Sequence, residues 1–303
     1  MNRIIICMKV MVIVTVVFAA LCVGTFTAHA QEENSQATDA EDPALNQSLE
    51  EISRQLENPL TDMWSLNFEN SALWTKGDAM EHTEFANTMF FQPGLPIPVG
   101  KDKDMVFIAR PVFPLVTNPV LDATEPDGVD GHKTGFGDIQ LMTLLGPNRK
   151  SGIVWGAGGT FKFPTASDDV LGQDKYQAGP ALMLFRMQKP LTIGFLAQHW
   201  WSYAGDDDRP DTSQTDFKYI ARYSLPRAWS IGFGPTISID WKADNDDKWT
   251  VPVGLGVTKM VRFGKMPFKF IAELNYSVVR PDTYGTEWKF LFRVAPVIRS
   301  PFR

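Results

Sequence analysis

Apolar and polar residues alternate with a period of two along most of the chain, from about residue 60 to residue 302. The clearest stretch begins at Trp229 and ends at Lys242. One face of it is apolar: Trp229, Ile231, Phe233, Pro235, Ile237, Ile239 and Trp241. The other face is small or polar: Ser230, Gly232, Gly234, Thr236, Ser238, Asp240 and Lys242. Successive side chains of a β-strand point to opposite faces, and aromatic residues at both ends of an apolar face are typical of a membrane-spanning strand. The pattern therefore predicts a strand that crosses a bilayer.

The same alternation recurs, and it gives twelve candidate strands in all. Four more are clean, within residues 217–223, 249–258, 268–279 and 288–299. Seven earlier ones alternate less regularly: 62–74, 82–92, 105–115, 136–145, 152–163, 175–187 and 190–203. An even number of antiparallel strands is typical of bacterial barrels with both termini in the periplasm. The sequence thus predicts an all-β fold, a transmembrane antiparallel up-and-down β-barrel of about twelve strands over residues 59–303.

The predicted connections alternate in length and charge. Most of the odd ones are long and acidic, as at Asp206–Asp208 and Asp244–Asp247, whereas most of the even ones are short and basic. Long outer loops and short periplasmic turns are the asymmetry of this class of barrel. Residues 117–133 are predicted to form one of the outer loops. The Pro-rich residues 92–104 are predicted to form a longer turn on the periplasmic side.

The first thirty residues have the three parts of a secretory signal. Arg3 and Lys9 give a positive start, an apolar stretch follows to about Phe26, and the small residues of Ala28–Ala30 precede an acidic stretch. We therefore expect residues 1–30 to be a signal peptide, cleaved after residue 30. An uncleaved anchor helix is the alternative, and the short apolar run argues against it.

Residues 31–58 are polar and acidic, and they contain no aromatic residue. Within them Leu45, Leu49, Ile52 and Leu56 are spaced four, three and four residues apart. This spacing places them on one face of a short amphipathic helix. We interpret the segment as a periplasmic lead-in to the barrel. The alternative is a plug or partner-binding helix, because an apolar stripe needs a surface to cover it.

Removal of residues 1–30 changes the composition that matters. Both cysteines, Cys7 and Cys22, leave with the segment, and the rest has 27 basic and 35 acidic residues, a formal charge of −8. The acidic balance argues against nucleic-acid binding, and the lack of thiols excludes a disulfide framework or a cysteine metal site.

The alternative to a membrane barrel is a soluble sandwich or lipocalin, which would bury the apolar face of each strand inward. The export signal and the Trp-bracketed apolar faces favour the membrane barrel over that soluble alternative.

Alternation assigns a set of charged side chains to the barrel interior. These candidate pore-lining residues are Lys162, Lys218, Arg222, Asp240, Lys269, Glu273, Lys289 and Arg293. Because a buried charge must be paired or solvated, they could either line a narrow polar pore or pair and block the lumen. If the pore is open, the excess of cations would favour anionic solutes. The expected membrane-interface aromatics are Trp229, Trp241, Trp249 and Trp288.

Several stretches resemble a family of bacterial outer-membrane proteins named for the MetA pathway of phenol degradation, some of whose members carry the label neuromedin U. They are Asn58–Leu66, Gly135–Ile139, Phe163–Ala166, Leu171-Gly172 with Ala178–Pro180, Trp249–Gly254, Gly264-Lys265 with Pro267, and Val279–Pro281 followed by Trp288. Together they extend over most of residues 58–302. The resemblance implies an outer-membrane barrel that moves small molecules, hydrophobic or aromatic ones among them, and it implies no catalytic residues. Such barrels usually end on an aromatic residue that the outer-membrane insertion machinery reads, whereas here Phe302 is followed by Arg303.

Other chemistry has weaker support in the sequence. His199 stands near Ser202 and the acidic residues that follow, but a catalytic arrangement there would have to arise by convergence. The acid-rich outer loops could bind Ca²⁺ or bridge lipopolysaccharide, although no EF-hand spacing is present. We therefore expect no enzyme activity, cofactor, metal site or nucleic-acid partner. The favoured function is a channel or transporter for a small-molecule solute in the lipid bilayer of the outer membrane, and the alternative is a non-conducting structural or surface-interaction barrel.

Overall fold

The computed structural model describes residues 48–56, 63–149, 151–264 and 266–300, and these form one closed antiparallel β-barrel preceded by a short helix. The expected signal peptide and most of the lead-in segment lie outside the described residues. The elements are α1 (Leu49–Gln55), β1 (Met63–Lys76), β2 (Glu84–Val99), β3 (Met105–Leu121), β4 (Val129–Phe136), β5 (Ile139–Pro147), β6 (Gly152–Phe163), β7 (Lys175–Gln188), β8 (Leu191–Gly205), β9 (Ser213–Leu225), β10 (Trp229–Phe233), β11 (Thr236–Asp240), β12 (Trp249–Phe263), β13 (Met266–Val279) and β14 (Gly285–Arg299). Among the described residues, no helix is both long and apolar enough to cross a bilayer.

The fourteen strand segments make twelve barrel strands. β10 and β11 both pair with β9 and β12 in one unchanged register, so they are a single strand interrupted at Gly234 and Pro235. β4 and β5 both pair with β3, and the register shifts by one residue between them. The barrel closes where β1 pairs with β14, as in Trp74 opposite Trp288. The prediction of a twelve-stranded antiparallel barrel is confirmed.

Two of the predicted irregular segments are strand instead. Residues 92–104 were expected to be a turn, but β2 runs on to Val99. Proline has no N–H to donate to a neighbouring strand. Pro93 lies in the gap of the β2–β3 pairing, between Phe91 and Leu95. Pro96 lies beyond Gly94, the last residue of β2 that pairs with β1. The prolines are therefore tolerated in the strand.

The predicted outer loop 117–133 is largely a hairpin. β3 continues to Leu121, and β4 pairs with it from Val129, with Thr117 opposite Thr134. Most residues of β4 are exposed on both faces. A strand that projects beyond the membrane meets water on both sides, so it has no apolar alternation from which it could be recognised.

The break between β4 and β5 is the attachment point of a loop. Asp138 stands at the break and accepts hydrogen bonds from the backbone N–H groups of Thr165 and Ala166, each at 3.2 Å, and of Gln173 at 2.8 Å. The carboxylate thereby satisfies three backbone donors that would otherwise lack partners. The Gly135–Ile139 stretch therefore fixes the loop that joins β6 to β7.

The outer face of the barrel is apolar and is bracketed by aromatic residues. Leu274, in the middle of β13, is 48% exposed. A side chain that contacts only lipid is exposed in this way when the chain is considered without its bilayer. The end where β1 begins and β14 finishes is called the proximal end here, and the opposite end is called the distal end. Exposed aromatic side chains lie near both ends of the barrel. Those near the proximal end are Trp155, Tyr223 and Phe263, and those near the distal end are Tyr176, Trp201, Tyr203, Trp241, Trp249 and Trp288. This is the outer surface of a membrane-spanning barrel.

The inner face differs between the two sides of the barrel. On β7 the inward residues Met183, Phe185 and Met187 are buried, while Leu182 and Leu184, which alternate with them, face outward. Inward apolar residues of five neighbouring strands form one cluster: Val106, Ile108, Met142, Leu144, Val154, Ala181, Met183, Phe185, Met187 and Leu196. The expectation of a small or charged interior was wrong for this side. Both faces are apolar there, which is why the earlier strands alternate poorly.

Candidate functional site

The lumen contains two cavities stacked along the barrel axis. The proximal cavity has a volume of about 170 Å³, and the distal cavity has a volume of about 340 Å³. Arg110, Lys218, Glu273 and Arg293 line both of them, so these charged side chains surround the level at which the cavities meet. The middle of the lumen is therefore a charged constriction.

Two buried ion pairs hold the constriction together. Arg222 donates to Glu273 Oε2 at 2.9 Å and to Thr258 Oγ1 at 3.2 Å. Arg293 donates to Glu69, with its Nε 2.8 Å from Oε2. The second Glu273 oxygen accepts the backbone N–H of Gly234 at 3.2 Å, at the break between β10 and β11. The interruption of that strand thus supplies a backbone donor to a lumen carboxylate.

Cations outnumber carboxylates on the walls of the two cavities. Six cationic side chains and three carboxylates line them in the described part of the chain, an excess of three positive charges: Arg110, Lys218, Arg222, Lys269, Lys289 and Arg293 against Glu69, Asp216 and Glu273. Within the described residues no ion pair joins Lys218, Lys289 or Arg110 to a carboxylate; Arg110 instead hydrogen-bonds the Gln92 side chain. The constriction is therefore electropositive.

The structure places all eight predicted pore-lining residues on the inner face. Six of them line one or both cavities: Lys218, Arg222, Lys269, Glu273, Lys289 and Arg293. Lys162 lies toward the distal end, with its Nζ 4.2 Å from the centroid of the Trp200 ring and 2.9 Å from Gln214 Oε1. Asp240 lines a separate cavity of about 500 Å³ near the distal mouth, together with Asp216 and Asp247. The predicted set thus extends along the lumen from the proximal cavity, which Arg222 and Lys269 line, to the distal mouth.

Sequence reasoning missed Glu69 and Arg110, which complete the constriction. Both lie on strands whose alternation is irregular, β1 and β3. A signal was present for Glu69, because Asn67, Glu69 and Ser71 are polar at alternate positions. Arg110 follows Ile108 at an inward position and is flanked by apolar neighbours, so alternation alone could not assign its side.

The helix α1 lies against the proximal mouth of the barrel. Ile52 is 3% exposed and packs with Met63, Ala228, Met260 and Val297, and Leu49 and Leu56 pack against the same group. Leu56 also lines the proximal cavity. Met260 lies opposite the inward Lys269, and Val297 lies opposite Ser65, a residue that lines the proximal cavity. The apolar stripe of the helix is therefore covered by the inner wall of the mouth.

Acidic residues of α1 face the proximal turns. Glu50 accepts the backbone N–H of Arg227 at 2.7 Å, and Glu51 lies 3.9 Å from Lys189 Nζ. Exposed ion pairs of this kind contribute little free energy, so the apolar contacts dominate the docking. Only the second contact uses a basic side chain, so it gives a physical role to Lys189 in one of the short turns.

The predicted interface aromatics lie on the outer face. Trp241, Trp249 and Trp288 are exposed near the distal end, and Trp241 packs edge-on against Trp249 with ring centroids 6.3 Å apart. Trp229 lies at the proximal end, with Lys259 Nζ 4.9 Å from its ring centroid. Trp and Tyr are enriched at both boundaries of a membrane, and the interface role of these four residues stays a prediction.

The residues considered for catalysis do not meet. His199 faces outward and packs against Trp201, with ring centroids 4.0 Å apart and ring planes at 58°, and its Nδ1 lies 2.6 Å from Thr215 Oγ1. Ser202 hydrogen-bonds Asp211 at 3.1 Å and lies on the other face of the strand. Within the described residues, no group of three or more His, Cys, Asp or Glu side chains could hold a metal ion.

Comparison with known proteins supports the fold. The solved COG4313 outer-membrane channel from Pseudomonas putida F1 is similar over 78% of this chain and 94% of that chain, with a TM-score of 0.58 and 12% identity. Two other solved structures are more distant. The β domain of the Bordetella autotransporter BrkA has a TM-score of 0.42 and 11% identity, over 77% of this chain and 99% of that chain. The CymD monoaromatic hydrocarbon channel has a TM-score of 0.40 and 8% identity, over 88% of this chain and 94% of that chain. No protein-family model and no curated protein matches the chain. At such low identity the likeness concerns the fold alone, which is that of a bacterial outer-membrane barrel.

Proposed function

We propose that this protein is an outer-membrane channel that passes a small molecule through the barrel lumen. The observation that carries the proposal is the pair of stacked cavities inside a closed barrel with an apolar outer belt. The sequence resemblance to the family named for the MetA pathway of phenol degradation agrees with this function, and membership of that family is part of the proposal.

The charges of the constriction favour anionic solutes. The excess of three positive charges along the walls of the two cavities lies in a narrow, low-dielectric passage, where it attracts anions and repels cations more strongly than the same charges would in bulk water. Lys218 and Lys289, which have no ion-pair partner among the described residues, contribute most directly. The lumen therefore selects by charge as well as by size.

A second function is supported by the packing at the proximal mouth. The docked α1 and the two ion pairs of the constriction both narrow the lumen. If α1 never leaves, the barrel is a non-conducting structural or surface-interaction protein. The two functions are separated by the presence of a conducting state.

Conductance of the mature chain, from residue 31, in a planar lipid bilayer tests the proposal. We expect small current steps and a reversal potential in a salt gradient that reports anion preference. Replacement of Lys218 and Lys289 by Met should reduce that preference, whereas Lys242→Met, an exposed charge outside the cavities, should not. Cation selectivity would contradict the charge argument. Absence of current even after deletion of residues 48–56 would favour the non-conducting barrel.

The proposal includes an orientation, with the proximal end and both termini in the periplasm. It follows from the expected signal peptide at residues 1–30 and from the short proximal turns, and it requires lipopolysaccharide around the distal end and passage through the insertion machinery. The mature chain lacks cysteine, so Asp207→Cys and Lys101→Cys provide single labels. A membrane-impermeant maleimide should label the first variant and spare the second in intact cells. The reverse pattern would overturn the orientation.

A further inference from the structure

The proximal cavity has an apolar wall and a cationic wall. Ile108, Phe185, Leu196 and Ile220 form the apolar wall, and they belong to or pack against the buried apolar cluster on that side of the barrel. The cationic wall consists of Arg110, Lys218, Arg222, Lys269 and Arg293. A site that offers both surfaces at once suits a ligand with an apolar body and a negative charge.

The two kinds of side chain are arranged in the same order on opposite strands. On β3, Ile108 is followed by the inward Arg110 toward the distal end. On β9, Ile220 lies two residues to the proximal side of Lys218, and Lys218 is directly opposite Leu196 on β8. Two residues of a strand span about 6.6 Å. Each cation therefore stands about one ring length distal to an apolar residue.

These two cations are the ones available to a ligand. Arg222 and Arg293 already bind carboxylates of the barrel, at Glu273 and Glu69. Within the described residues, Lys218 makes no hydrogen bond or ion pair, and Arg110 bonds only the neutral side chain of Gln92. Charge removed from bulk water needs a counter-charge or a hydrogen-bonding partner. An anion between Arg110 and Lys218 would supply both.

The size of the cavity limits the apolar body. Its volume is about 170 Å³, and an apolar protein cavity of about 150 Å³ accommodates benzene. One six-membered ring therefore fits, whereas a long alkyl chain would have to pass the constriction. Leu56 of α1 lines the cavity and gives it an apolar floor.

We infer that the proximal cavity binds a compact aromatic monocarboxylate, with its ring against Ile108, Leu196 and Ile220 and its carboxylate between Arg110 and Lys218. The inference deepens the proposed channel function by naming a substrate class, and it rests on that function. A neutral ring would leave Lys218 without an anionic partner and Arg110 with only the neutral side chain of Gln92. A small inorganic anion would leave the apolar wall uncovered.

Calorimetry on the folded mature chain in detergent tests the inference with three probes. Benzoate carries the ring and the charge, benzyl alcohol carries the ring alone, and acetate carries the charge alone. We expect benzoate to bind at least about ten-fold more tightly than either of the others, because a hydrogen bond to a charged group and a buried ring each contribute an effect of that order. Equal binding of acetate, or equal binding of benzyl alcohol, would overturn the inference.

Variants locate the site. Lys218→Met keeps the aliphatic stem and removes the charge, so it should weaken benzoate binding by about ten- to hundred-fold, while Lys242→Met should leave it unchanged. Ile220→Asn should weaken benzoate binding and leave acetate binding unaltered. The altered mobility of a folded barrel on unboiled gels checks that each variant has assembled. If Lys218→Met assembles and still binds benzoate normally, the inferred site is wrong.

Liposome swelling separates this inference from the proposed function. Entry of a small neutral sugar without any benzoate binding would retain the channel and reject the carboxylate site. Benzoate binding without flux of any solute would retain the site and reject the channel.

Discussion

The docking of α1 makes a quantitative prediction, because one side chain provides much of it. Ile52 is 3% exposed and fits among inward residues of the proximal mouth, Met63, Met260 and Val297 among them. Ile52→Ala removes three carbon atoms from that contact. At about 0.8 kcal/mol per buried methylene group, the change costs about 2.4 kcal/mol of docking free energy. A factor of ten corresponds to about 1.4 kcal/mol, so the ratio of undocked to docked helix should rise by about fifty-fold.

Single-channel recording measures this ratio as open probability. If the docked helix blocks the proximal mouth, Ile52→Ala should raise the open probability strongly and leave the size of the fully open current step unchanged. Ile231→Ala is a matched control, since it makes the same deletion on the outer face, where Ile231 is 38% exposed. The control should gate like the unmodified protein.

The reasoning fails if the current is unaffected by the loss of docking. An unchanged open probability in Ile52→Ala, in Leu49→Ala with Ile52→Ala, and after deletion of residues 48–56 would show that α1 does not obstruct the lumen. Reduced current would also contradict it, because that result would mean that the helix supports the open state.

Three further predictions concern stability and pH. Glu273→Gln leaves the buried Arg222 without its carboxylate partner and should lower the free energy of unfolding in urea by about 3–5 kcal/mol. The double variant with Arg222→Met should recover much of that loss. Equal losses of stability in the single and double variants would contradict the pairing. Gly158→Ala would place a Cβ 2.1 Å from a carbonyl oxygen of the adjacent strand, and such overpacking should cost about 1–3 kcal/mol, visible as a lower urea midpoint. Hydrogen bonds from the Thr283 hydroxyl and N–H hold the pKa of Asp247 below its ordinary value. This contact between distal loops should therefore persist at neutral pH and be lost only as the pH falls through the depressed pKa. An NMR titration of the Thr283 amide with a midpoint above the ordinary aspartate pKa of about 3.9 would refute this prediction.

The barrel was predictable from the sequence because lipid imposes a strict rule on one face. From Trp229 onward most inward residues are small or polar, so the period of two is clear, and the strand number follows from the turns. The first and last residues of a strand were less predictable where the strand does not contact lipid or where proline interrupts its pairing. Residues 129–136 lie outside the apolar belt, and the prolines of residues 93–98 occupy positions where the ladder needs no donor.

The site was predictable in its charges and not in its apolar wall. Lys218, Glu273 and Arg293 stand out because a charge at an alternate position between lipid-facing residues has only one direction to point. Phe185 and Met183 could not be assigned in this way, since Leu182 and Leu184 beside them on the outer face are also apolar. The distinction needs the structure, which shows which of the two faces is covered by other side chains.

The apolar side of the lumen and the apolar stripe of α1 explain each other. A helix that carries Leu49, Ile52 and Leu56 on one face gains little free energy in a mouth lined by charges, because the hydrophobic effect requires apolar surface on both partners. The proximal rim supplies that surface with Met260 and Val297 rather than with further lysines. The charged residues lie deeper, at the level where the two cavities meet, so a solute that enters from the distal mouth meets them before it meets the docked helix. The division of the inner wall therefore places the obstruction and the selective site in series along the barrel axis, and Leu56 of the helix, which also lines the proximal cavity, connects the two.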